Sequence, residues 1–401
     1  MLEIDYNSLC CFFTMYLYNC PSLCGVVRAV PDAASVSSLS RAVQEFKGNR
    51  FMKRLMASVL RKYKGELDPE NFCLAIDDTD NVKSGKNIFR TGKWKSSKGI
   101  CFGQKVIIIA LVDIRNGFAI PLGYRFATKK NEADYLSDLD LAADLVLEAR
   151  EHGIPTTLPV VADSWFSAAE FIKKINDHVF EIVVELRSNR NAHSNKKELW
   201  DTIGNFFIHL KRYSVVARLN PNNKKYLTKR KWFSSISLYI KKLPTLLNVI
   251  AVYNGKNSTT PFAFYATTNL SMSGAELWKY SRARWKIECM FRDLKQNLSW
   301  GKLECRGEEG SDLTVCIPFI IYTYLLLDFR GECELLCRDS IGLMVKKIRH
   351  ENMNKTINFF LEDKNVNTKK LLKLKARSKC MVSKPVDTIA EKKSHSDMLA
   401  A

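Results

Sequence analysis

"FCLAIDDTD" (Phe72–Asp80) decides how this chain is read. Five apolar residues run directly into a stretch of four that holds three acids. That pattern is a short buried strand that closes on carboxylates. Two more β-rich runs follow, "QKVIIIALVDIRNG" (Gln104–Gly117) and "FAIPLGYRFA" (Phe118–Ala127), with turn residues between them. Next come a helix in "EADYLSDLDLAADLVLEAREHG" that ends at Gly153, and the apolar strand of "TLPVVADSWFS" (Thr157–Ser167). A short helix over about 168–176 and the strand "VFEIVVEL" (Val179–Leu186) complete the series. Three strands followed by alternating helix and strand predict an α/β domain with a mixed sheet.

The flanking sequence differs in character. Residues 1–70 read as helical, and "SVSSLSRAVQEFKGNRFMKRLMASVLRKYKG" (Ser35–Gly65) joins helical periodicity to many bases, which suits a DNA-binding helical domain or a solvated basic helix pair. The core then occupies 71–186. A β-rich block of short strands with polar breaks fills 187–270, and the core resumes over 271–345. There Ser273 and Glu276 form a capping box for the helix that follows. "DLTVCIPFIIYTYLLLDF" (Asp312–Phe329) approaches membrane-span length, but Asp312, Pro318 and Asp328 bound or interrupt it, so a buried core helix is expected and no membrane. Residues 346–401 form a basic, polar tail whose end is expected to be disordered.

The 401 residues carry a formal net charge of +20, which points to a polyanionic partner, most simply nucleic acid. At 46% hydrophobic the chain can bury a sizeable core. Twelve cysteines lie in no disulfide-framework or zinc spacing, which indicates reduced thiols and a cytosolic protein. The basic charge concentrates in Lys211–Lys242, a run with no acid that contains Lys229, Arg230, Lys231 and Trp232. Such a run suits a track along DNA.

Three acids stand out. Asp78 and Asp163 sit where apolar strands give way, and side chains at strand ends of α/β sheets converge on a cleft. Asp77 and Asp80 compete with Asp78 on chemistry alone. Alternation places Leu74, Ile76 and Asp78 on one face, which favours Asp78. Glu288 lies in "YSRARWKIECMFRDLKQ" (Tyr280–Gln296) beside an apolar helical stripe. On a helix turning about 100° per residue, Arg284 falls roughly 40° and Lys295 about 20° from it. An ordinary surface ion pair would explain Arg284 and Glu288. Alternatively Glu288 faces a metal ion and the two bases grip phosphates. Three carboxylates can hold hard divalent ions that activate water in phosphodiester cleavage.

These residues together resemble the DDE transposases of bacterial insertion sequences. The closest class has a β-strand insertion in an RNase H-like domain and a signature of Tyr, two residues, Arg, three residues, Glu, six residues, Lys. Arg284, Glu288 and Lys295 match the last three positions and both spacings. Tyr280 departs by one position, Ser281 standing where the tyrosine is expected. The resemblance covers roughly 71–330. It implies that Asp78, Asp163 and Glu288 bind two Mg²⁺ ions, with Mn²⁺ as the substitute. It implies cleavage at transposon ends, strand transfer into target DNA, and a homodimer on paired double-stranded ends, in the cytoplasm on the nucleoid. Tyr280, Arg284 and Lys295 would contact DNA. Trp232 would stack on a base flipped out near the end, with packing in the insertion's own small core as the alternative. A plain metal-dependent nuclease and a catalytically silent DNA-binding derivative are the competing readings.

Overall fold

A computed structural model describes residues 4–20, 22–29, 33–96, 99–178, 180–194, 197–216, 230–243, 245–329 and 341–362. Four helices open the chain: α1 (Tyr6–Leu17), α2 (Leu23–Ala29), α3 (Val36–Gln44) and α4 (Gly48–Lys62). The sheet begins with β1 (Phe72–Val82), β2 (Gly92–Ser96), β3 (Gly99–Asp113) and β4 (Phe118–Phe126). Helix α5 (Asp138–Glu151), β5 (Val160–Ala162), α6 (Ala169–Asp177) and β6 (Ile182–Leu186) follow. The next block holds β7 (Asn191–Ser194), β8 (Lys197–Thr202), α7 (Ile203–Phe206), β9 (Tyr213–Val216), β10 (Arg230–Ile240), β11 (Leu246–Tyr253) and β12 (Ala263–Thr267). Three helices close the described chain: α8 (Gly274–Asn297), α9 (Gly307–Tyr324) and α10 (Ile341–Glu362). A π-helical turn at Leu325–Phe329 extends α9.

The strand order β4-β3-β1-β5-β6 has β3 antiparallel to β1 and β4, and β1, β5 and β6 parallel. This is the RNase H-like mixed sheet. The later strands do not form a sheet of their own. β12 pairs antiparallel with β6, and β11, β10, β7 and β8 continue outward, so the described strands make one 12-stranded sheet.

Both faces of the central strands are covered, which is why they read as continuous apolar runs. Register shows how the two faces divide. Asp77, Ile108 and Tyr124 lie across from one another on β1, β3 and β4, as do Asp78, Ile107 and Arg125. The first row faces α8 and α9: Arg284 reaches Asp77, and Tyr124 bonds Asp312 at 2.5 Å. The second row faces α5, where Arg125 pairs with Glu148 at 2.6 Å.

Local signals set the helix ends. Ser137 caps α5, Gly153 follows it at φ +100°, and Ser273 with Glu276 caps α8 in a reciprocal box. Gly307–Leu327 is long and apolar enough to cross a membrane by composition, but 78% of its most apolar window is buried. It packs against α1, α3, α4 and α8 as a core helix. The opening helices join that same core through Leu39, Met52, Met56 and Val59. Of the tail, α10 is described to Glu362; residues 363–401 lie outside the described residues.

Candidate active site

The site is laid out by parallel pairing. Ile76 pairs with Ala162, and Ala162 with Val184. One residue further along come Asp77 of β1, Asp163 just past the end of β5, and Glu185 of β6. Paired residues in a sheet point to the same face, and successive residues to opposite faces. Asp77 and Glu185 therefore share the face covered by α8, and the Asp163 charge acts on both. From that helix Arg284 places Nη1 3.0 Å from Asp77 Oδ2 and 3.0 Å from Glu288 Oε1. Its side chain is only 16% exposed, so this is a buried bridge between strand and helix and not a surface pair.

Burial sets the electrostatics. It pushes the Asp77 carboxyl up to about 8, against the pull of Arg284, with Asp163 and Asp78 adding repulsion. The Glu288 and Glu185 carboxyls are raised for the same reason, again opposed by Arg284, and Asp163 adds to both shifts. This is a desolvated, mutually repelling set of acids held by one guanidinium.

Asp78 lies elsewhere. It faces α5, where Lys105 Nζ is 3.3 Å from its Oδ2 and 2.9 Å from Asp138 Oδ2. Asp78 shares a face of β1 with Leu74 and Ile76, as alternation predicts. However, that face is opposite α8, and β1 runs on to Val82, so position 78 is no strand end. Arg284 joins Glu288 to Asp77, and the Asp163 charge acts on Asp77, Asp78 and Glu288. Glu185 was not singled out in the sequence. Its signal was an acid ending "IVVE" on the strand next to that of Asp163.

The remaining expected contacts divide. Lys295 donates to Thr79 Oγ1 at 2.8 Å and to the Asp80 carbonyl at 2.7 Å, tying α8 to β1 beside the acids. Tyr280 is 5% exposed, and its hydroxyl donates to the Pro69 carbonyl at 2.6 Å, so its side chain packs in the core. Its one-position offset from the expected place turns it into the core. Trp232 is half-buried and packs against the main core, with Lys256 5.9 Å from its ring centre. Lys231 bonds Asn254 Oδ1 at 2.6 Å. Lys229 lies outside the described residues, as does the Arg230 side chain.

Among the described residues no three carboxylate, imidazole or thiol groups converge closely enough to hold an ion as they stand. The donor chemistry is nevertheless that of a hard divalent cation: oxygen ligands only, partly desolvated, with excess negative charge.

No curated protein matches the sequence. Among solved structures, a cryo-EM structure of a piggyBac transposase synaptic complex with hairpin DNA aligns over 93% of this chain and 76% of that one, at 10% identity and a TM-score of 0.47. The sequence model of the transposase DDE domain matches residues 73–324, from β1 through α9 and well over half of the chain, and the protein belongs to that family of transposases.

Proposed function

We propose that this protein cuts DNA at the ends of a mobile element and joins the freed 3′ ends to target DNA. The observation that carries this reading is Asp77 on β1, with Asp163 at the end of the adjacent parallel strand, joined to Glu288 of α8 through Arg284. Asp77, not Asp78, takes the role of first acid. Asp77, Asp163 and Glu288 would hold two divalent ions, Mg²⁺ or Mn²⁺. Bound there, such ions lower the pKa of a water or 3′-hydroxyl and stabilise the oxygen leaving phosphorus.

The chain's own residues do the rest. Strand pairing fixes the backbone of Asp77, and the Trp165 N–H fixes the Asp163 carboxylate, which limits the reorganisation left to make. Arg284 neutralises Asp77 and Glu288 in the protein alone. With divalent ions held by those acids, its planar fork would be free for a phosphate. Lys295 holds α8 against β1, fixing Glu288 over the strands. Outside the acids, Arg282 and Arg292 are exposed along α8, and Lys53, Arg54 and Arg61 along α4. These cations, with the basic run of 211–242, supply the phosphate contacts that make binding salt-dependent. The partner is double-stranded DNA at paired ends and at the target, bound by a homodimer in the cytoplasm on the nucleoid.

The test uses the DNA that flanks the reading frame. Wild-type protein with Mg²⁺ releases ends and yields joined products on a target plasmid. Asp77→Asn, Asp163→Asn and Glu288→Gln bind the same DNA and release nothing. Cleavage without joining would mark a plain nuclease, and binding alone a silent derivative.

A further inference from the structure

Two residues beyond Asp163, Trp165 is 56% exposed, while its neighbours Phe166 and Ser167 are buried. An isolated exposed apolar side chain is ordinary and says little. Trp165 differs in how it is held. Its backbone N–H donates to Asp163 Oδ1 at 2.8 Å, which fixes the turn that carries it. Lys105 Nζ lies 5.5 Å from its ring centre, within cation–π range. That lysine is itself anchored: its side chain is 12% exposed and is bound to Asp78 and Asp138. The network around Asp78, which contributes no ligand to the acids beneath α8, thus sets an aromatic ring at the edge of the site.

We propose that Trp165 is a stacking platform for an unpaired nucleobase next to the phosphate being cut. This rests on the reading of Asp163 as a catalytic acid. Two residues span at most about 7 Å of chain. Successive nucleotides rise roughly 3.4 Å along a strand. A strand whose phosphate reaches Asp163 therefore brings a base within one or two positions of Trp165. Within a duplex each base is already stacked on its neighbours, so the base that fits is one left at a frayed, nicked or cleaved end. Every base has a π face, so the platform accepts any of the four.

Binding is measured by fluorescence anisotropy with Ca²⁺ in place of Mg²⁺. One probe is a short duplex with a single-stranded 3′ thymidine overhang, and the other is the same duplex with abasic overhang sugars. Trp165→Ala should bind the thymidine overhang about tenfold more weakly, equivalent to about 1.4 kcal/mol, and match wild type on the abasic probe. Trp165→Phe should recover most of the loss and Trp165→Leu little of it. The Phe and Leu pair decides the matter if the alanine variant does not fold. An equal loss on both probes, or Leu equal to Phe, would overturn the platform. If wild type cleaves flanking DNA but Trp165→Ala equals it on the thymidine probe, the platform alone fails. If wild type neither binds these probes nor cleaves, the transposase reading and the platform fail together.

Discussion

Replacing Asp77 by Asn should make the metal-free protein more stable and catalytically dead. In the unfolded chain this carboxyl loses its proton near 3.8, and in the folded protein at about 8. Between those values the folded state holds the extra proton, so wild-type stability falls as pH rises. At pH 7 the interval of 7 − 3.8 units, at 1.36 kcal/mol per unit, corresponds to about 4 kcal/mol of stability lost to the buried acid. Asn has the same size and no charge to desolvate, and Glu288 still pairs with Arg284. Asp77→Asn should therefore gain up to about 4 kcal/mol at pH 7, and nothing below pH 3.8. An amide is a poor ligand for a hard cation, so cleavage should fall at least about a thousandfold. Asp78→Asn leaves Lys105 with Asp138 and should retain most activity. Urea unfolding at pH 4 and pH 7, with a cleavage assay on both variants, checks each part. The reasoning fails if Asp77→Asn cleaves while Asp78→Asn is dead, or if the stability gain does not grow with pH.

Arg284→Gln leaves Asp77 and Glu288 without their cation and should cost about 3 kcal/mol without divalent ions. Mn²⁺ should then raise the melting temperature of this variant more than that of wild type, and equal rises would argue against a shared site. Tyr280→Phe should lose about 1 kcal/mol with its bond to Pro69, while DNA affinity stays unchanged. A clear loss of affinity would restore Tyr280 to the DNA interface. Lys83 donates to the Gly301 and Leu303 carbonyls, and burial pushes its amine down from 10.5 to about 8. Between those values the unfolded chain holds the extra proton, so wild-type stability relative to Lys83→Met should rise by about 3 kcal/mol from pH 8 to 10.5. A flat difference across that range would show that the amine is not shifted.

The sheet was legible because its strands are apolar runs of strand length, and α8 because Ser273 and Glu276 cap an amphipathic repeat. The choice within "DDTD" was not, because β1 is buried on both faces and alternation cannot tell which face meets α8. That depends on helix packing set by residues about 200 positions away, Arg284 among them. Glu185 was hidden for a related reason: its partner Asp163 is a neighbour only through parallel pairing across α6. The merging of β7–β12 into the core sheet was equally unreadable, since strand runs do not state which edge they join.

Crystals grown with Mn²⁺ and end DNA, examined by anomalous diffraction, bear most directly on the assignment of the acids. Manganese peaks are expected within about 2.5 Å of carboxylate oxygens of Asp77, Asp163 and Glu288. Arg284 should be turned away from Asp77, and Asp78 still paired with Lys105. Manganese bound by Asp78, with Asp77 still holding Arg284, would contradict that assignment.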